Sequence, residues 1–132
     1  MGDLTPTELN QGPALRTIAM PADTNPNGDI FGGWLLSQMD LAGGVVAMRR
    51  AQGRCVTVGI EAMTFHKPVL IGDEVSCFAK VERVGRTSLR VRVESWVRRL
   101  HSDTVETMKV TEGVFTYVAI DTARRPRSVP PE

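Results

Sequence analysis

The sequence predicts an α+β fold in which one long central helix is wrapped by a strongly curved antiparallel β-sheet of about five strands. Three observations lead there. A single stretch, from Gly33 to about Gln52, is apolar around most of a helical circumference; everything after Gly53 alternates or runs apolar as strands do; and turn residues separate those strands at hairpin spacing. A lone helix that must bury nearly all of its circumference needs a surface curved round it, and one bent antiparallel sheet is the layer solution that supplies it.

Taken in order, residues 1–13 and 122–132 are rich in Pro and polar groups and are expected to be tails around one domain, 14–121. "ALRTIAM", residues 14–20, reads as a short strand stopped by Pro21. "PADTNPNGD" follows, dense in turn formers, and predicts a long loop. In the helix, Trp34, Leu35, Leu36, Met39, Leu41, Val45, Val46 and Met48 leave only a narrow polar stripe, so the helix is expected to be largely buried. It ends in Arg49 and Arg50, cations suited to the negative end of the dipole, with Gly53 as the expected C-cap glycine. "CVTVGIEAMTF" is β-branched and closes at Pro68 and Gly72. In the next two strands Val75, Cys77, Ala79 and Val81, then Leu89, Val91, Val93 and Val97, alternate with polar or charged residues, giving each one dry face. "VGRTS" between them predicts a hairpin. "ETMKVTEGVFTYVAID" is the last strand, with Gly113 as a candidate bulge.

Composition narrows the function. The chain has 132 residues, 42% of them hydrophobic, and a net charge of +1, which fits one core of ordinary size and argues against a generally basic nucleic-acid binder. Any anionic ligand must then be met locally. No apolar window approaches the ~18 residues of a membrane span, and the N-terminus has no basic-then-apolar leader, so a cytoplasmic protein without a membrane association is the expectation. Pro6 stands where an N-myristoylation signal requires Ser or Thr. Cys55 and Cys77 lie in strand-like runs far from other Cys or His and read as buried free thiols, with no metal-ligand spacing.

Asp40 is the residue out of place: a carboxylate in an apolar helix, with Leu36, Ser37, Gly43 and Gly44 three and four positions away. Such a group is costly to bury unless it is hydrogen-bonded, which leaves either a satisfied core carboxylate or a general base. Two glycines in a helix interior cost about 1 kcal/mol each relative to alanine, so something requires close approach there. A helix packed across a dimer and a substrate passing over bare backbone both fit, and they are compatible. Gly32 and Gly33 stand where the loop becomes the helix. Their N–H groups lack intrahelical acceptors and sit at the positive end of the dipole, a geometry suited to an oxyanion, although a glycine turn before a helix is by itself commonplace. There is no GxSxG elbow and neither cysteine has a base beside it, which disfavours a Ser or Cys nucleophile. His66 and His101 are isolated, and the arginines of "RRAQGR" and "RRPR" are most simply solvated or phosphate-facing.

"MPADTNPNGDIFGGWLLSQMD", "VTVGIEAMTFHKPVLIGDEV" and "VGRTSLRVRVESWV" resemble the acyl-CoA thioesterases of the hot-dog superfamily, of the YciA type and related to the long-chain acyl-CoA hydrolases of brain; the likeness runs from about residue 15 to residue 127. The resemblance implies a hot-dog fold, pairing into a homodimer and assembly as a trimer of dimers. It implies hydrolysis of acyl-CoA to free acid and CoA with no metal and no cofactor. It marks Asn25, in "DTN", and Asp40, in "QMD", as the catalytic pair, acting across the dimer interface. Combined with the helix-start glycines, the resemblance suggests a mechanism with Asp40 as general base on water, or less readily as nucleophile, Gly33 N–H with Gly32 at the oxyanion, and Asn25 of the other subunit orienting water or carbonyl. The CoA portion is then expected along Gly85, Arg86, Thr87 and Ser88 and near His66 and Lys67, with Arg125 for the 3'-phosphate end. A hot-dog dehydratase would place a histidine opposite the helix carboxylate, and a non-catalytic acyl-CoA-binding protein would lack the base; the presence of both Asn25 and Asp40 counts against the second.

Overall fold

The computed structural model describes Leu4 and residues 11–132. Its elements are β1 (Leu15–Ile18), a 3-10 turn (Pro21–Asp23), α1 (Gly32–Ala51), β2 (Cys55–Phe65), β3 (Glu74–Val84), β4 (Ser88–Leu100) and β5 (Val105–Ala119). The five strands form one sheet in the order β1-β3-β4-β5-β2, every pair antiparallel, and α1 packs against all of them. This is the helix-in-sheet architecture that the apolar pattern called for.

The core forms where the dry faces of β3, β4 and β5 meet one side of the helix. Leu35, Met39, Ala42, Ala47 and Ala51 close on Val75, Cys77, Leu89, Val91, Val93 and Phe115. Small alanines let the helix sit close to the sheet while the valines and leucine of β4, all fully buried, fill the floor; each large aliphatic so buried contributes about 1.5–3 kcal/mol. Extra residues bend the sheet round the helix. Ala62 and Met63 of β2 oppose Gly113 alone, with Ala62 at φ 54°, and Val110 is skipped where β5 pairs with β4. Gly113 is therefore not itself the bulge. It is the paired residue beneath one, and it lacks a side chain because a Cβ there would lie 2.1 Å from Met63 Sδ.

Other expectations shift for stated reasons. The helix ends on Gln52, not Gly53, in the left-handed conformation. Gly53 is a glycine because the Arg127 guanidinium packs over it, 2.6 Å from where a Cβ would stand, while Arg127 Nη1 donates to Ala51 O at 3.0 Å and caps the helix. Residues 122–132, expected as a tail, run back along this end of the sheet: Arg127 N donates to Ala119 O, Val129 N to Arg86 O, and Arg50 Nη1 to Pro130 O. Cys77 is buried and its thiol is pushed up to about 11 by that burial, against a smaller opposing contribution from the contact with Ser95; Cys55 is only half-buried.

The outer face of β4 is not simply wet. Glu94 is fully buried and accepts from Leu4 N at 2.7 Å and Trp96 Nε1 at 3.0 Å, and Arg92 lies between Glu94 and Glu112. Conversely, the helix is less buried than its composition implies. Leu41, Val45 and Met48 form an open stripe, 58%, 37% and 42% exposed, and the edge strand β2 leaves Val58, Ile60 and Phe65 exposed as well. Among the described residues no helix is long and apolar enough to cross a membrane.

Candidate active site

Asp40 lies two turns into α1, half-buried, where the helix crosses β2 and β5. Its Oδ1 accepts from Thr57 Oγ1 at 2.7 Å and from Tyr117 Oη at 3.1 Å. The same tyrosine hydroxyl is 2.9 Å from the main-chain oxygen of Asp40. Burial pushes the Tyr117 phenol far upward, and the neighbouring Asp40 charge pushes it further, so the hydroxyl stays protonated and acts as a donor. Two hydroxyls thus fix one carboxylate oxygen, and Oδ2 is left without a partner among the described residues.

Tyr117 also explains Gly43. A Cβ at Gly43 would stand 2.4 Å from Tyr117 Oη, so the bare backbone admits this chain's own tyrosine. The sequence reading, which gave that gap to a substrate or a second helix, is corrected at Gly43; at Gly44 a Cβ would meet only Tyr117 Cε1, at an ordinary 3.8 Å. Tyr117 and Thr57 were missed as site residues. The available signal was the chain's one tyrosine, on the inward register of β5 beside Phe115, together with a helix glycine that needs a large neighbour.

At the helix start, Trp34 N and Leu35 N both donate to Phe31 O, so the first amides, those of Gly32 and Gly33, have no intrahelical acceptor. Both glycines are exposed, and the ring of Phe31 lies over Gly33 where a Cβ would be 2.8 Å away. Gly32 borders a cleft of about 240 Å³ lined by the buried Ile30, Leu35 and Val69 and, at its rim, by Phe65, His66, Lys67 and Pro68. The rim is firmly held. His66 N and Lys67 N both donate to Val110 O, and Arg99, doubly bonded to buried Asp73, also donates to Pro68 O. His66 Nε2 lies 2.7 Å from Glu112 Oε2.

Asn25 sits in the loop closed by the Thr24–Ile30 bridge. Its Oδ1 accepts from Asn27 N and Asp29 N, which spends the oxygen on the loop and leaves the two donors of Nδ2 without a partner among the described residues. Neither Asn25 nor Asp40 lines the cleft. Gly85, Arg86, Thr87 and Ser88 form the β3–β4 turn, with Gly85 N donating to Ser88 O, and the exposed Arg125 is tied by its main chain to Asp121. These lie with Arg127 at the C-terminal end of α1, whereas His66 and Lys67 lie at its N-terminal end. A 20-residue helix separates the two groups by about 30 Å. Within one chain the expected site residues therefore fall into four places: Gly32 with Gly33, His66 and Lys67; Asn25 in the loop closed by the Thr24–Ile30 bridge; Asp40 at mid-helix; and the turn with Arg125.

Residues 27–101 match the family model described as thioesterase superfamily, which is more than half of the chain. The chain belongs to the thioesterase superfamily. Within it, the chain is 51% identical over 119 residues to the acyl-CoA thioester hydrolase YciA of Escherichia coli, covering 89% of this chain and 90% of that protein. Among solved structures, it is similar to the hexameric thioesterase y2039 of Yersinia pestis, with 51% identity, 91% and 96% of the two chains covered and a TM-score of 0.84. It is also similar to a hexameric hotdog fold thioesterase of Campylobacter jejuni, with 42% identity, 90% of each chain covered and a TM-score of 0.88. The long helix inside a five-stranded antiparallel sheet is the hotdog fold, and this thioesterase is a YciA-type member.

Proposed function

We propose that this thioesterase hydrolyses acyl-CoA to free acid and CoA with Asp40 as general base, in sites shared between two subunits. The observation that carries the reading is the asymmetry of the Asp40 carboxylate: Oδ1 is held by Thr57 and Tyr117, while Oδ2 has no partner among the described residues. A carboxylate fixed at one oxygen presents the other in a constant direction, which is what deprotonating a bound water requires. The free amides of Gly32 and Gly33 are suited to the oxyanion that forms as water adds to the thioester carbon, and Nδ2 of Asn25 supplies a donor for water or carbonyl. Collapse of the tetrahedral intermediate expels the CoA thiolate, a good leaving group that demands no strong acid. Within the chain, His66 Nε2 is engaged by Glu112 Oε2 at 2.7 Å, which gives the dehydratase alternative no support.

Sharing between subunits is supported by what one chain leaves undone. Its donor cleft, its base and its basic turn are apart, and the chain carries the open stripe Leu41, Val45 and Met48 and an edge of β2 that no other described strand pairs with. A second copy laid there dries the stripe and brings the cleft of one chain to the Asp40 of the other. Three such dimers would make the hexamer named for the Yersinia and Campylobacter structures. The turn Gly85–Ser88 and Arg125 are then placed to meet CoA phosphates. The test is release of free thiol from a panel of acyl-CoAs, read with a thiol reagent. Turnover by the wild-type protein and its loss in Asp40→Asn are expected; a fully active Asp40→Asn protein would overturn the assignment.

A further inference from the structure

Glu112 is a charged residue that the mechanism above does not use, and it is unusually well bound. Its Oε1 takes the Arg92 guanidinium, and its Oε2 takes both Lys109 Nζ at 2.8 Å and His66 Nε2 at 2.7 Å. Arg92 and Lys109 come from β4 and β5, inside the sheet, whereas His66 is the first residue beyond β2 and stands on the rim of the cleft beside Gly32. The carboxylate is thus a bridge from the buried charge network to the ligand-accessible rim. Main-chain bonds fix the rim independently, because His66 N and Lys67 N both reach Val110 O. What Glu112 adds is control of the imidazole ring itself.

That control has a definite chemical content. Burial raises the Glu112 pKa, but hydrogen bonds from Lys109, His66 and Arg92 outweigh it and bring the group down to about 2, so it is an ionised carboxylate and accepts only. His66 Nε2 must then carry the proton, and Nδ1 is the nitrogen left for a ligand. In the neutral ring Nδ1 is an acceptor, which suits an amide N–H or a hydroxyl. We infer that Glu112 is a positioning residue for substrate: it fixes the tautomer and orientation of His66 so that Nδ1 accepts from the amide or hydroxyl groups of the carrier arm of the thioester. This rests on the thioesterase reading above. It also separates the two ends of the ligand, since the carrier arm would be read by His66 and the reacting carbon served by Gly32, Gly33 and Asp40.

The experiment compares two substrates with the same short acyl group: the CoA thioester, and the S-ethyl thioester, which has no amide, hydroxyl or phosphate. His66→Ala and Glu112→Gln should each raise KM for the CoA thioester roughly three- to tenfold, the value of one hydrogen bond, with kcat within about twofold. Kinetic constants for the S-ethyl thioester should not move in either. In the double variant, Glu112→Gln should add nothing to the KM of His66→Ala, a non-additivity that a merely structural role for the carboxylate would not produce. If Glu112→Gln does not fold, His66→Ala with the two substrates still decides, because an unchanged KM for the CoA thioester overturns the inference. Additive effects, or equal losses on both substrates, overturn it as well while leaving the thioesterase reading intact. A wild-type protein that hydrolyses neither thioester overturns that reading itself.

Discussion

Tyr117 Oη stands 2.9 Å from the main-chain oxygen and 3.1 Å from Oδ1 of Asp40, so one buried phenol ties both the backbone and the side chain of a mid-helix carboxylate to β5. With Thr57 on the opposite strand, it turns a residue that would cost stability when buried alone into one with a fixed direction.

Tyr117→Phe removes that donor and keeps the ring. Folding stability should fall by about 1–2 kcal/mol, because a buried acceptor loses a partner. Turnover should fall by roughly tenfold through loss of aim at Asp40. Asp40→Asn should cost roughly 10² to 10⁴ in kcat with the fold intact, the range for a lost general base. Steady-state thiol release and denaturant unfolding on the same preparations separate the two quantities. A Tyr117→Phe enzyme with wild-type kcat would show that Thr57 alone suffices to hold the carboxylate.

The two helix glycines should part company under the same substitution. Gly43→Ala puts a methyl 2.4 Å from Tyr117 Oη, an overlap that the buried ring cannot easily escape, so it should destabilise by about 1–3 kcal/mol despite the better helix propensity of alanine. Gly44→Ala meets nothing closer than 3.8 Å and should be neutral or stabilising by up to about 1 kcal/mol. Urea midpoints of the two variants test this directly. Equal losses would place a second subunit against Gly44.

Acid should weaken the protein partly through Glu112. Its folded-state pKa is lowered from 4.5 to about 2, so its interactions add stability that is fully present above pH 4.5 and is lost as pH falls toward 2. Glu112→Gln cannot titrate. Its unfolding free energy should be lower than wild type at neutral pH and should decline less steeply between pH 5 and about 2. Parallel pH profiles for the two proteins would assign the acid sensitivity elsewhere.

How much of this was legible in the sequence follows from the range of each signal. The helix and β2 to β5 were readable because alternation and helical periodicity are local, and Cys55–Phe65 is the same run in both. Asp40 stood out because an acid in an apolar helix is a local anomaly. Tyr117 did not, because its meeting with Asp40 depends on the β2–β5 pairing, Thr57 opposite Tyr117, which is set across the fold. For the same reason the buried Arg92 and Glu94 read only as residues opposite a dry face: period-two alternation says which side a residue is on, not what covers that side. The C-terminal segment misled by composition, since "RRPRSVPPE" has the residues of a tail yet its main chain is bonded to Ala119 and Arg86.

Asn25 and Asp40 should serve one site from two chains, and mixed subunits test it. Asn25→Ala and Asp40→Asn subunits, each inactive alone, are co-expressed so that half of the dimers are mixed. In a mixed dimer one site receives both altered residues, and the other receives the intact Asn25 of one chain and the intact Asp40 of its partner. One site in two is then whole in half of the dimers, so roughly a quarter of wild-type activity should return. If both residues act within a single chain, every site in every dimer carries one lesion and nothing returns. Tagged subunits purified sequentially for mixed dimers should raise the recovery to roughly half, and the absence of activity in that verified fraction would refute a shared site.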